Sequence, residues 1–173
     1  MGEDINFYRA NEKPYGGFSN LYRRPVEIES EVFPTVEHAY QSRKARKPAV
    51  RRWILAAPTP SLVASAAHGL LHWDIAPGWS RLRYPWMLKC LQAKFGQHGD
   101  LAALLMNTGT ARLVESGTVD SEVNRRWGEI NGVGRNLLGR MLMRVRADLG
   151  GPSYQDDELA NLVAAGIPLL TAA

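Results

Sequence analysis

The sequence predicts an α+β fold, a single helix-rich domain with a few short N-terminal strands. Three observations carry that expectation. The chain has 173 residues, 45% of them hydrophobic and 22% charged, which suits one globular domain able to bury a sizeable core. Its first third is cut by turn residues into short β-prone runs. From Thr35 onward apolar residues recur at helical spacing between prolines and glycines. The domain is expected over 1–150, with 151–173 as a helical extension of it.

Taken in order, INFY (5–8), KPYGGFSNLY (13–22) and PVEIESEVFP (25–34) are expected as strands or extended segments. In the last, apolar and acidic residues alternate as V-E-I-E, the pattern of a strand with one covered face. Thr35 suits a helix N-cap, and Glu37 then falls in the first turn, where the helix dipole favours a carboxylate. Helix is expected to continue, broken at Pro48, 57–60 and 69–78. The stretch 77–97 spaces Trp79, Leu82, Trp86, Leu88 and Leu91 and predicts the longest helix, kinked or started by Pro85. There follow a short apolar helix over 101–106, an extended piece over 111–115 and a polar, glycine-rich loop over 117–135. An amphipathic helix over 136–149 places Leu138, Leu142 and Val145 on one face. A last helix, at about 156–165, is expected to pack at the margin. No internal repeat divides the chain.

The net charge is +4, from 21 basic and 17 acidic residues, a modest lean. Its distribution is less even. Arg43, Lys44, Arg46, Lys47, Arg51 and Arg52 form one cluster, and Arg125, Arg126, Arg135, Arg140, Arg144 and Arg146 a second. Such clusters steer anionic ligands or meet phosphates, although a solvated helix face is the plainer reading of any single arginine. No apolar run approaches the roughly 18 residues that span a bilayer. The opening MGEDINFYR has neither the charge nor the apolar stretch of a signal peptide. A cytoplasmic protein without membrane partners is expected. The single cysteine, Cys90, excludes an internal disulfide and is expected as a buried helix residue.

Four groups of residues bear on chemistry. On a helix starting at Thr35, the spacing i, i+4, i+7 places Glu37, Gln41 and Lys44 on one face. A carboxyl, an amide and an amine so arranged suit cleavage of a glycosidic bond, which needs a proton donor or acceptor and a group to stabilise or capture the cationic sugar carbon. Spacing alone still favours a solvated charged face. In NGVGRNLLG, Gly132 and Gly134 precede a helix whose backbone N–H groups can hold a phosphate; without other evidence an ordinary glycine turn is the stronger reading. Of five tryptophans, Trp79, Trp86 and Trp127 adjoin polar or glycine-rich sequence, where an indole can stack on a base. The core and stacking readings balance at Trp79 and Trp127, and the core reading prevails at Trp53 and Trp73. His68 and His72 lack a third ligand nearby, so no metal site is expected. No serine sits in a G-x-S-x-G elbow.

These signals converge on a family. NFY (6–8), YGGFSNLY (15–22), FPTVEHAYQSRK (33–44), a tryptophan eight residues before a methionine (79, 87), LQAKFGQH (91–98), LLMNTGTARLVE (104–115), WG (127–128) and GRNLLGRMLMRVR (134–146) occur in order. Together they resemble the NADAR family, whose members include N-glycosidases of the riboflavin pathway. The resemblance covers about 6–149. It implies a helix-rich α+β domain that hydrolyses an N-glycosidic bond to ribose without metal or cofactor. One branch of the family cleaves phosphorylated intermediates of riboflavin synthesis. Another removes ADP-ribose from guanine bases in DNA or RNA, opposing ADP-ribosyltransferase toxins.

Carried onto this chain, the resemblance makes Glu37 the acid/base and Lys44 the nucleophile, able to hold the opened ribose as a Schiff base. Trp79 and Trp127 become ring contacts. Asn20, Gln41 and Asn136 orient the sugar or phosphates, and Phe18 and Ser19 belong to the pocket wall. Gly128, Gly134 and Asp120 complete the substrate-binding set. One departure stands out. Riboflavin-type members carry an aspartate three positions before the tryptophan of WG, whereas this chain has Asn124, with Asp120 the nearest preceding aspartate. Arg125 and Arg126 beside it suit a diphosphate or a nucleic-acid strand. The expected substrate is therefore ADP-ribosylated guanine, with functional pairing to an ADP-ribosyltransferase toxin. A small molecule bearing ribose phosphate is the alternative, and a non-catalytic module binding ADP-ribose or nucleic acid ranks third.

Overall fold

The structure is a computed structural model and describes residues 4–166. It is α+β and rich in helix, as the sequence predicts. Four three-residue strands, β1 (Ile5–Phe7), β2 (Val26–Ile28), β3 (Glu31–Phe33) and β4 (Leu113–Glu115), accompany eight helices. These are α1 (Val36–Ser42), α2 (Pro48–Leu55), α3 (Pro60–His68), α4 (Trp79–Gln97), α5 (Gly99–Met106), α6 (Glu122–Trp127), α7 (Leu137–Asp148) and α8 (Asp157–Ala164). The chain forms two compact units, neither of them continuous in sequence. Among the described residues, one comprises 4–22 with 95–159, the other 23–94 with 160–166.

In the first unit β1 and β4 pair in parallel, Ile5 opposite Leu113 and Phe7 opposite Glu115. Helix α7 packs on β4 and α5 packs on α7. Leu137, Leu138, Met141, Leu142 and Val145 of α7 are buried against this core, the face that the helical spacing predicts. YGGF, expected as extended, is a short 3-10 helix (Tyr15–Phe18). Its phenylalanine is fully buried, edge-on to Phe7 and stacked on Tyr15. Gly16 permits that turn, because a Cβ there would lie 2.4 Å from the Ala10 carbonyl oxygen.

The polar stretch 117–135 is not one long loop. Ser121 Oγ accepts from the Asn124 N–H and starts α6, and Glu122–Arg126 is an i, i+4 ion pair. Those local bonds supply what the segment lacks in apolar periodicity. Helix α8 is anchored more firmly than a marginal element. Asp156 accepts from the Leu159 N–H at its start and takes a two-pronged bond from Arg140 at 2.6 and 2.5 Å. These donors hold the Asp156 carboxyl down at about 2.

In the second unit β2 and β3 form a hairpin in which Val26 opposes Phe33 and Ile28 opposes Glu31. Its two turn residues, Glu29 and Ser30, both have positive φ, 54° and 64°, as a tight hairpin turn with matching twist requires. Helix α1 packs against β2, β3, α2 and α3. The prolines that read as breaks are starts: Pro48 and Pro60 open α2 and α3, positions whose missing N–H costs nothing. Helix α4 runs unbroken through Pro85. That proline leaves the Arg81 carbonyl without its usual helical donor, and Gly166 packs there; a Cβ on it would lie 2.7 Å from the Arg81 oxygen. Trp86, Met87, Cys90 and Leu91 of α4 are buried, and burial pushes the Cys90 thiol pKa up. No helix among the described residues is long and apolar enough to cross a membrane.

Trp53 and Trp73 are not core residues. They are 60% and 51% exposed.

Candidate active site

The site builds outward from α1. Thr35 caps it as predicted, its hydroxyl accepting from the His38 N–H at 3.3 Å and lying 2.8 Å from His38 Nδ1. Every residue from Val36 to Ser42 is buried, so the helix is no solvated charged face. Glu37 is 7% exposed, and Gln41 Nε2 donates to its Oε1 at 2.8 Å. Burial raises the Glu37 pKa, opposed by the Gln41 bond and by the charge of Lys44. A carboxyl so placed holds a proton at a higher pH than usual and suits a general acid. Gln41 Oε1 is buried and accepts no hydrogen bond among the described residues, an open acceptor beside that carboxyl.

Lys44 does not share the helix face that its spacing predicts. The helix ends at Ser42 with Arg43 as C-cap, because the next residues turn to pair with a neighbouring segment. The Ala76 N–H donates to the Lys44 carbonyl, and Ala45 bridges Ile75. The Lys44 side chain still couples to Glu37, each shifting the other's pKa. Its Nζ donates to the Ala67 carbonyl of α3 at 2.5 Å. Desolvation lowers the Lys44 pKa, Arg83 lowers it further, and Glu37 opposes them. A desolvated amine beside another cation is the environment that makes a lysine nucleophilic.

Trp79 begins α4 and is 6% exposed, its ring centroid 5.1 Å from that of Tyr40 on α1. Trp86 donates its indole N–H to the Ala39 carbonyl at 2.9 Å and lies under Arg43, which ties α4 to α1. Sequence reasoning missed two neighbours of Lys44. Arg83 stands four residues after Trp79, a helical spacing that would have found it, and its Nε has no hydrogen-bond partner among the described residues. His68 closes α3, and desolvation together with the Lys44 charge pushes its pKa down. A third cation, Lys94 of the LQAKFGQH motif, is 1% exposed, and burial and Arg24 push it down to about 7.

The remaining predicted residues lie in the other unit, and several are committed to its backbone. Phe18 and Ser19 are fully or nearly fully buried, and Ser19 Oγ accepts from the Leu21 N–H; Asn20 is 8% exposed. Asn136 has left-handed backbone (φ 48°), and its amide bridges β4, accepting from the Glu115 N–H at 3.1 Å and donating to the Leu113 carbonyl at 2.8 Å. The phosphate cradle read from NGVGRN is partly spoken for: the Arg135 and Asn136 N–H groups donate to the Arg125 and Gly128 carbonyls. Gly128 and Gly134 permit close backbone approach, since a Cβ on either would lie 2.1 Å from a carbonyl oxygen. Trp127 ends α6, half-buried.

Asp120 is gripped by Arg125 at 2.6 and 2.8 Å, and Arg126 pairs with Glu122. Both arginines that suit a diphosphate therefore already have acidic partners. Asn124, the position at which the resemblance leads an aspartate to be expected, donates its side-chain N–H to the Val119 carbonyl at 2.7 Å, a bond an ionised carboxylate cannot make. Gly134 and Asn136 also line a cavity of about 540 Å³ with Arg112, Glu129, Arg140 and Arg146. Among the described residues no group of three or more His, Cys, Asp or Glu could hold a metal ion.

The motifs and the fold define a hydrolase acting on N-glycosyl bonds. The chain belongs to the NADAR family, whose domain matches residues 6–150. It is 35% identical over 146 residues to the N-glycosidase YbiA of Shigella flexneri serotype 5b, covering 84% of this chain and 88% of that protein. It is 30% identical to the riboflavin biosynthesis protein VVA0006 of Vibrio vulnificus, over 86% of this chain but 39% of that longer protein. The NMR structure of Escherichia coli YbiA superposes with a TM-score of 0.74 at 34% identity, covering 87% of each chain.

Proposed function

We propose that the chain removes ADP-ribose from ADP-ribosylated guanine, with Glu37 as acid/base and Lys44 as nucleophile. The observation that carries the chemistry is the coupled pair: a buried carboxyl with raised pKa and an amine with lowered pKa, each within the other's field. The Lys44 amine attacks the anomeric carbon as the bond to the base nitrogen breaks, and Glu37 delivers its proton to the departing base. The ribose ring opens to a Schiff base on Lys44. Water, activated by the Glu37 carboxylate, adds to that carbon, and the sugar leaves with the lysine restored. The net reaction consumes one water and yields the unmodified guanine, still in its strand, and ADP-ribose. Gln41 Oε1 supplies an acceptor for a ribose hydroxyl. What supports a phosphate-bearing nucleic-acid substrate is the run from His38 to Trp73, which holds six arginines and lysines and no acid, with Arg43, Lys47 and Arg51 paired to Glu29, Asp74 and Glu31 from outside it.

The test is release of ADP-ribose from a guanine-modified oligonucleotide, with turnover lost in folded Lys44→Ala and Glu37→Gln variants. Full activity in both removes the assigned roles. A second reading, hydrolysis of phosphorylated riboflavin intermediates, is favoured by the likeness to a riboflavin biosynthesis protein. Release of ribose 5-phosphate from the pyrimidine precursors, with an inert oligonucleotide, would establish it instead.

A further inference from the structure

We infer that α2 and the turn before α4 form a platform for single-stranded nucleic acid, on which nucleotides flanking the modified guanine stack. The inference rests on the proposed action at guanine and names the form in which the base is presented. Trp53 on α2 is 60% exposed and Trp73 is 51% exposed, with the His72 ring edge-on to it at 4.6 Å. Exposed indoles are unusual in a solvated surface, and every base offers a face to stack on them. Unstacked bases are needed for that, so a single strand fits and an intact duplex does not.

The cations point the same way. Arg46 and Arg52 are exposed and make no side-chain hydrogen bond or ion pair among the described residues. Lys47 pairs with Asp74 at 3.2 Å and is itself 60% exposed. These charges are joined to the indoles by structure as well as by sequence. The Arg46 N–H donates to the Asp74 carbonyl at 2.7 Å, directly after Trp73, and Lys47 is the N-cap of the helix that carries Trp53. Six residues of helix span about 9 Å, a reach of one to two nucleotides. The same paired segment begins at Lys44, whose carbonyl accepts from the Ala76 N–H. The platform and the residue that bears the reactive amine are thus carried on one paired segment.

The probe is an unmodified, fluorescein-labelled single-stranded 12-mer, titrated by anisotropy and by quenching of tryptophan emission, with its duplex as comparison. Wild-type protein should bind the single strand more tightly than the duplex. Trp53→Ala/Trp73→Ala should weaken binding roughly ten-fold or more, and Trp53→Phe/Trp73→Phe should restore most of it. Arg46→Ala/Arg52→Ala should lower the slope of log K against log salt by about 1.4. All three substituted proteins should keep the wild-type melting temperature, because the side chains are exposed. On ADP-ribosylated oligonucleotide the tryptophan pair should raise KM and spare kcat. Strand binding unchanged in the alanine variants overturns the platform, as does a wild-type dimer that the tryptophan variants abolish. Failure to release ADP-ribose from any guanine substrate, with strand binding lost in the variants, overturns the proposed reaction and leaves the platform standing.

Discussion

Asn136→Ala separates a structural role from a ligand-binding one at a residue that the family resemblance assigns to the substrate. In the structure its amide closes β4 through the Glu115 N–H and the Leu113 carbonyl, and Leu113 is fully buried. Alanine leaves both backbone groups without that partner, at about 1–3 kcal/mol each. It must also adopt the left-handed φ of 48°, at about 1 kcal/mol beyond asparagine. The sum is roughly 3–7 kcal/mol, against a total stability of about 5–15 kcal/mol for a domain. At about 2–4 °C per kcal/mol for this size, the midpoint falls by about 6–28 °C. Scanning calorimetry with urea titration measures it, and Asn136→Gly, which tolerates the backbone angle, should recover about 1 kcal/mol. An alanine variant melting within about 2 °C of wild type would refute the assignment.

Three further outcomes follow from the same geometry. Arg83→Gln removes a cation that depresses the Lys44 pKa, so the ascending limb of the pH–rate profile, on which the Lys44 amine loses its proton, should move to higher pH; an unmoved limb counts against the coupling. Glu37 has a folded pKa above its unfolded value, so its stabilising contribution is present below the unfolded pKa and is lost as pH rises through the folded one. Glu37→Gln should therefore gain on wild type as pH rises from the unfolded carboxylate pKa, about 4.3, through the raised folded one, and melting curves that stay parallel over that rise would deny the shift. Gly128→Ala drives a Cβ to 2.1 Å from the Glu115 oxygen. It should cost more than about 4 kcal/mol, so a soluble variant of near-native urea midpoint would show that the backbone yields.

What the sequence made legible was governed by local rules. Thr35 started α1 and the spacing of Leu138, Leu142 and Val145 oriented α7 because capping and periodicity act over a few residues. Helix α6 was hidden because it is held by Ser121, two ion pairs and little apolar surface. Glu37 was singled out together with Gln41, its hydrogen-bond partner in the structure, since both stay on one helix. Lys44 was singled out on a spacing that the structure replaces: the helix stops two residues earlier, and the amine is held by Ala67, a partner 23 residues away. Arg83 and His68 depend on the same long-range packing. Trp53 and Trp73 read as core because large aromatics usually are, and no local signal marks a tryptophan left at the surface. Asn136 was read toward a ligand, whereas its hydrogen bonds go to a strand that begins 23 residues before it.

The central claim is that Lys44 captures the opened ribose. Turnover of ADP-ribosylated guanine oligonucleotide in the presence of borohydride, followed by peptide mass spectrometry, tests it directly. The account predicts a reduced ADP-ribose adduct on the peptide containing Lys44, absent in Lys44→Arg. Turnover without any adduct, or an adduct confined to Lys94, would contradict it.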